Sequence, residues 1–108
     1  MTAVPSISVA DLPPDAPLLD VREKNEWEAG HAPTACHIPM SELPARMHEL
    51  PDDDPLYVIC RSGNRSARVV AYLTAQGYPA INVDGGMKAW WASGRAVVAE
   101  GGRTGEIV

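Results

Sequence analysis

One cysteine of the sequence stands among residues that would activate a thiol. Cys60 is followed by Arg61 and Arg65, with Gly63 between them. A loop of this composition can curl so that successive backbone N–H groups face one point and form an anion pocket. The two arginines and the start of a following helix would add positive charge, which favours a thiolate. Because the thiolate is the nucleophilic form of cysteine, we predict nucleophilic chemistry at Cys60.

The segments around Cys60 predict the elements that position it. Residues 56–60 form a continuous apolar run, typical of a strand buried on both faces of a parallel sheet. Apolar spacing predicts a helix from about 64 to 76. Strand and helix patterns alternate elsewhere, with strands expected at 17–22, 35–38 and 80–84 and helices at 23–29, 41–50 and 86–93. This alternation predicts an α/β fold with a mainly parallel central sheet flanked by helices on both faces.

Two charged residues end another predicted strand at the same edge of the sheet as Cys60. These are Asp20 and Arg22. Ligands of α/β sheets bind at the carboxyl ends of the strands, so the pair could support the Cys60 segment or contact a substrate. Carboxylate and arginine side chains also form structural ion pairs, which would tie the strand to a neighbouring helix. The sequence leaves both interpretations open.

The composition predicts one acidic domain. The chain has 108 residues and a formal net charge of -5. We expect a single domain over 1–108, with its core at about 17–94 and a tail at 95–108 whose weak signals are typical of a frayed end. A nucleic-acid partner would need a basic surface, and a membrane helix would need about 20 apolar residues, so neither partner is expected. With no leader pattern at the start, the expected location is the cytoplasm.

Several motifs give the sequence a family resemblance. In their order and spacing over residues 17–94, these motifs resemble those of single-domain rhodanese-like sulfurtransferases. The matching stretches are Leu18–Arg22 (LLDVR), Glu26–His31 (EWEAGH), His37–Pro39 (HIP), Cys60–Arg65 (CRSGNR) and Asp84–Trp90 (DGGMKAW).

The resemblance implies a rhodanese fold and a sulfurtransferase in which Cys60 carries sulfur as a persulfide. It implies a substrate-binding loop made by the backbone of the five residues after the cysteine, which are Arg61, Ser62, Gly63, Asn64 and Arg65. Neither a cofactor nor a metal is implied. We refer to residues 60–65 as the Cys60 loop.

The resemblance also implies the partners of the reaction. The donor would be a small anionic sulfur compound such as thiosulfate, and the acceptor cyanide or a thiol. We expect Arg61 and Arg65 to neutralise the charge that develops on departing sulfite. A protein persulfide could serve as donor or acceptor, received at a positive mouth formed by Arg61, Arg65 and Arg68.

Two other functions deserve comparison with sulfur transfer. Cysteine phosphatases with a similar loop place an arginine six positions after the cysteine, where it grips phosphate oxygens. Here that position is Ser66, so a phosphatase or arsenate reductase is disfavoured. A non-catalytic binding module is disfavoured because binding alone needs no activated thiolate.

The remaining candidate residues favour structural roles. Cys36 could resolve an oxidised Cys60, but a small buried residue on an inner strand is the favoured interpretation. His31 is predicted to make a structural hydrogen bond. Trp90 is predicted to pack inward, whereas Trp91 could shield the pocket rim or lie on the surface.

Overall fold

The computed structural model describes residues 4–99, 101 and 103–108. Within these residues, five short strands and three α-helices follow one another in the order β1, β2, α1, β3, β4, α2, β5, α3. Their bounds are Ser6–Ser8 (β1), Leu18–Asp20 (β2), Lys24–Ala29 (α1), Ala35–His37 (β3), Leu56–Ile59 (β4), Asn64–Ala75 (α2), Ala80–Asp84 (β5) and Gly86–Ala92 (α3).

All strand pairs of the single sheet are parallel, in the order β1-β5-β4-β2-β3. The predicted central strand is confirmed, because β4 lies in the middle of the sheet. Its carboxyl end therefore opens at the centre of one sheet edge, where Cys60 follows.

Alternate residues of β2 and β4 face opposite sides of the sheet. Leu19 and Val58 pack in one apolar cluster, which includes Val69, Val70 and Leu73 of α2. Leu18 and Ile59 pack in a second cluster, which includes Met87 and Trp90 of α3. Both faces are thus covered by helices, which confirms the predicted α/β layering.

The helix expected at 41–50 is instead a 3-10 segment, Met40–Glu49. Pro44 lies inside it, and Arg46 departs from helical geometry with φ -120° and ψ 20°. Proline has no backbone N–H and clashes with the preceding turn, so a regular α-helix cannot run through this position. Leu43 still reaches the core.

The described residues of the tail at 95–108 pack against the domain instead of fraying, although the sequence signals there are weak. His31 and Val98 exchange two backbone hydrogen bonds of 2.9 Å, and the Glu106 N–H donates to the Ala29 carbonyl at 2.9 Å. The Arg95 guanidinium donates to the Leu12 carbonyl at 2.7 Å. These are mainly backbone contacts, which leave no periodic side-chain pattern. Residues 100 and 102 of the tail, and residues 1–3, lie outside the described residues.

No helix within the described ranges is long and apolar enough to cross a membrane.

Candidate active site

The Cys60 loop connects the central strand to the first turn of α2. Gly63 adopts φ 103°, a left-handed conformation that side-chain-bearing residues resist, and α2 begins at the next residue. Two backbone amides of α3 fix the other side of the loop: Met87 N–H donates to the Cys60 carbonyl at 2.8 Å, and Lys88 N–H donates to the Arg61 carbonyl at 3.0 Å. A Cβ at Gly86 would collide with the Cys60 carbonyl oxygen, so this approach requires glycine.

The Cys60 sulfur is enclosed by hydrogen-bond donors. Cys60 is only 1% exposed. The Gly63 N–H donates to its Sγ at 3.1 Å, and the Ser66 hydroxyl approaches the same atom at 3.2 Å. These donors stabilise negative charge on sulfur, as expected for a nucleophilic cysteine.

The pKa of Cys60 is lower than that of an ordinary cysteine. Burial has the largest single influence and raises the pKa. Hydrogen bonds from the Ser66 hydroxyl and from the backbone N–H groups of Ser66, Gly63 and Ser62 together outweigh burial. The predicted thiolate preference is therefore supported, but its principal source is hydrogen bonding within the loop and the first turn of α2.

Replacing Ser66 tests this source of activation. We expect Ser66→Ala to move the midpoint of Cys60 alkylation by iodoacetamide to higher pH, because the thiolate loses a hydrogen bond. Alkylation at pH 7 should slow by roughly three- to tenfold. A smaller fraction of Cys60 is then thiolate, but each thiolate is more nucleophilic, which partly offsets the loss. The measurement uses a Cys36→Ser background, which leaves one thiol.

Ser62→Ala is the matched control for this experiment. Ser62 lies exposed in the same loop, and the substitution keeps its backbone N–H. We expect an unchanged midpoint for Ser62→Ala. Equal midpoints for Ser66→Ala and the parent protein would show that the hydroxyl does not stabilise the thiolate.

Arg65 is held by an acidic side chain. Its guanidinium makes a two-pronged ion pair with Glu26 of α1, with N–O distances of 2.7 and 2.8 Å. This contact is the largest influence on the Glu26 carboxyl and lowers its pKa. Glu26 therefore shares the positive charge that Arg65 brings to the Cys60 loop, and the charge of Arg65 still interacts with Cys60.

The other two arginines of the predicted mouth lie on the surface. Arg61 is exposed, and its Nε donates to the Val108 carbonyl at 2.9 Å. Arg68 is also exposed, on α2. Ser62 and Asn64 are exposed beside Arg61, so the outer rim of the loop is polar and accessible.

Asp20 and Arg22 form a completely buried ion pair, each with 0% exposure. Arg22 Nη2 lies 2.7 Å from Asp20 Oδ2 and also donates to the Gly30 carbonyl at 2.7 Å. Arg22 Nη1 donates to the Glu26 carbonyl at 3.3 Å. The pair thus connects β2 to the carboxyl end of α1, the helix whose Glu26 side chain binds Arg65.

Cys36 lies away from Cys60. The expectation of an inner strand is wrong, because β3 is an edge strand and Cys36 is half-buried. Leu19 of β2 pairs with both Cys36 and Val58. Two strand spacings therefore separate Cys36 from β4, about 10 Å, whereas a disulfide needs Cα atoms within about 7 Å. Formation of a disulfide between Cys36 and an oxidised Cys60 would therefore require backbone movement.

The predicted structural role of His31 is confirmed. Its Nδ1 lies 2.9 Å from the Trp27 carbonyl, and its ring stacks on Trp27 at 3.6 Å between centroids. Trp90 packs in the core as predicted, whereas Trp91 is 50% exposed on the surface.

Two buried polar residues belong to the site although the sequence analysis did not predict them as site residues. Ser66 and Asn82 are both buried, and the Ser66 Oγ and Asn82 Oδ1 atoms lie 2.5 Å apart. Asn82 interrupts the apolar run of β5, which is the sequence signal that could have identified it. Glu26 offered a weaker signal, as part of a family motif.

Comparisons with known proteins agree with this geometry. A model of the rhodanese-like domain matches residues 8–93. A sulfurtransferase of Allochromatium vinosum is 42% identical over 89 residues, which cover 82% of this chain and 83% of the relative. The crystal structure of a rhodanese-related protein from Thermoplasma volcanium superposes with a TM-score of 0.82 at 39% identity, covering 89% of this chain and 99% of that one.

A third similarity concerns part of a larger protein. A structure described as an NAD-dependent persulfide reductase from A. fulgidus matches with a TM-score of 0.70 at 32% identity. The match covers 81% of this chain but only 16% of the reductase chain. Because the family model spans most of the sequence and the fold matches that of a rhodanese-related protein, this chain belongs to the rhodanese-like domain family.

Proposed function

We propose that this protein is a sulfurtransferase in which Cys60 alternates between a thiolate and a persulfide. The observation that carries the proposal is the environment of the Cys60 sulfur. It lies at the carboxyl end of the central strand and receives a hydrogen bond from the Gly63 N–H, with the Ser66 hydroxyl in reach. A buried sulfur with a lowered pKa is suited to nucleophilic attack.

The first half-reaction loads sulfur onto Cys60. With thiosulfate as donor, the Cys60 thiolate attacks the outer sulfur and forms a new S–S bond. The S–S bond of thiosulfate breaks, and sulfite leaves with the electron pair. The backbone N–H groups of the loop, together with Arg61 at its rim, stabilise the negative charge of the donor and of the leaving sulfite.

The second half-reaction returns Cys60 to its starting state. Cyanide attacks the outer sulfur of the persulfide, and thiocyanate is released while the electron pair of the broken S–S bond restores the thiolate. A thiol acceptor would instead leave carrying the outer sulfur as its own persulfide. Electrons and sulfur balance without a metal or a redox cofactor.

A persulfide carried by another protein is the second donor class consistent with the site. The rim of the loop is exposed, and Arg61 and Arg68 place positive charge on an otherwise acidic chain. The relative in A. fulgidus, described as a persulfide reductase, carries a similar domain within a longer chain. The same Cys60 chemistry would accept sulfur from either source.

The position of Ser66 favours sulfur transfer over phosphate hydrolysis. At the sixth position after the cysteine, its hydroxyl reaches inward to Cys60 Sγ at 3.2 Å. A phosphatase loop needs an arginine there to grip phosphate oxygens. The lowered pKa of Cys60 weighs against a non-catalytic binding module, because binding alone gains nothing from an activated thiolate.

Initial-rate kinetics test the proposal. We expect thiocyanate formation from thiosulfate and cyanide to give parallel double-reciprocal plots, because sulfite leaves before cyanide reacts. Glutathione persulfide replaces thiosulfate if the latter is a poor donor. Intersecting plots would contradict a covalent relay through Cys60. Absence of turnover with both donors, using fully reduced protein, would contradict the proposed function itself.

A further inference from the structure

The buried side-chain amide of Asn82 contacts Gly63 of the Cys60 loop and Ser66 of α2. Asn82 lies on β5 and is 4% exposed. Its Nδ2 donates to the Gly63 carbonyl at 3.3 Å, and its Oδ1 lies 2.5 Å from Ser66 Oγ. A carbonyl can only accept a hydrogen bond, so the amide N–H₂ must face Gly63 and the amide oxygen must face Ser66.

The Ser66 hydroxyl has one proton and two acceptors. It can donate to Cys60 Sγ at 3.2 Å or to Asn82 Oδ1 at 2.5 Å, but not fully to both. A thiolate accepts a strong charge-assisted hydrogen bond. In a persulfide the negative charge moves to the outer sulfur, and the inner sulfur becomes a weak acceptor.

We propose that Asn82 is a positioning residue that provides the alternative acceptor for the Ser66 hydroxyl. The hydroxyl donates to Cys60 when the sulfur is a thiolate and rotates to Asn82 when the sulfur is part of a persulfide. No covalent bond changes, and no proton is transferred. The persulfide half of this inference rests on the proposed function, whereas the thiolate half does not.

The energetic benefit lies in the loaded state. Ser66 is completely buried, so a hydroxyl proton with no acceptor would carry the full cost of desolvation. Asn82 removes that cost when Cys60 carries sulfur. In the unloaded state the same amide oxygen competes with the thiolate, so it limits how strongly Ser66 stabilises the negative charge.

This competition predicts opposite effects for two substitutions. Ser66→Ala removes the hydrogen bond and moves the alkylation midpoint of Cys60 to higher pH. We expect Asn82→Leu, which is similar in shape and has no acceptor, to move the midpoint to lower pH. If Asn82 served only to hold the loop in shape, its loss would loosen the donors around Cys60 and move the midpoint upward.

The experiment is a double-mutant cycle on the Cys36→Ser background. Midpoints are measured by iodoacetamide alkylation for the parent, Ser66→Ala, Asn82→Leu and the double variant. We expect Asn82→Leu to lower the midpoint in the parent and to leave it unchanged in Ser66→Ala. An upward shift, or the same shift in both backgrounds, would overturn the inference.

The charged groups around the loop stay the same throughout this cycle. The charge of Arg65 interacts with Cys60, and the ion pair of Arg65 with Glu26 is left intact. Other charged side chains carried by neighbouring elements are also unchanged: Arg61 of the loop, Asp84 of β5 and Lys88 of α3.

A second variant keeps the test decisive if Asn82→Leu does not fold. Asn82→Asp places a stronger acceptor beside the hydroxyl, so we expect a higher midpoint in the parent and a smaller rise in Ser66→Ala. Rises of equal size in the two backgrounds would overturn the inference, because a charge acting directly on the sulfur does not need the hydroxyl.

Sulfur loading gives the readout for the persulfide half. We expect Asn82→Leu to reduce the equilibrium loading of Cys60, measured against thiosulfate and sulfite by intact mass, by roughly three- to tenfold. The reduction should vanish in the Ser66→Ala background. Unchanged loading in Asn82→Leu would overturn this half. Absence of loading in the parent protein would instead contradict the proposed function, and the alkylation cycle would still decide the thiolate half.

Discussion

Cys60→Ser is expected to abolish sulfur transfer. The serine hydroxyl is a poor nucleophile towards sulfur, and no other thiol lies within reach of the loop in the described part of the chain. We expect thiocyanate formation from thiosulfate and cyanide to fall by at least about a thousandfold, the scale on which nucleophile removal acts in other enzymes.

Cys36→Ser is the matched control for this variant. It makes the same chemical change at the other cysteine, which is half-buried on the edge strand β3. Burial raises the pKa of Cys36, so its thiol stays protonated and unreactive. We expect activity close to that of the unmodified protein. Comparable losses from the two variants would contradict the assignment of the reaction to Cys60 alone.

Asp20→Asn is expected to destabilise the whole domain. The substitution removes the negative charge that neutralises Arg22, and both side chains have no exposure to solvent. Breaking a buried ion pair by removing one partner typically costs about 3–5 kcal/mol. Since small domains are stable by only about 5–15 kcal/mol, we expect a large fall in the urea midpoint of unfolding.

Glu42→Gln provides the comparison with an exposed ion pair. Glu42 pairs with Arg46 on the surface at 3.0 Å, and water screens this contact. We expect its urea midpoint to stay close to that of the parent. A small change for Asp20→Asn, similar to that of Glu42→Gln, would show that the buried pair does not support the fold.

The sequence predicted the elements of the site where local patterns determine them. The apolar run at 56–60 gives β4, the spacing after 63 gives α2, and Gly63 marks the left-handed turn between them. These features depend on residues close together in the chain. The position of Cys60 at the sheet edge follows from them.

The partners of the loop's side chains could not be predicted in the same way. Arg65 pairs with Glu26, 39 positions earlier, and Ser66 meets Asn82, 16 positions later. Such pairs form only because the fold brings Glu26 of α1 and Asn82 of β5 to the start of α2. Local composition showed two arginines near a cysteine, but not that an acidic side chain from another element shares the charge of one.

The contacts of the described tail residues could not be predicted either, because backbone groups make most of them. Val98 joins His31 through backbone hydrogen bonds, which do not depend on the side chains of either residue. Backbone contacts of this kind produce no periodic apolar pattern in the sequence, so no pattern predicts them. The approach of the Glu106 backbone does require glycine at position 30, because a Cβ there would collide with it.

The central claim is that Cys60 itself carries the transferred sulfur. Intact-protein mass spectrometry tests it most directly: reduced protein is exposed to thiosulfate or a persulfide donor, and then to cyanide. We predict a gain of one sulfur atom that persists in Cys36→Ser, is absent in Cys60→Ser and disappears after cyanide. Sulfur uptake by Cys60→Ser, or no uptake by the unmodified protein from either donor, would contradict the account.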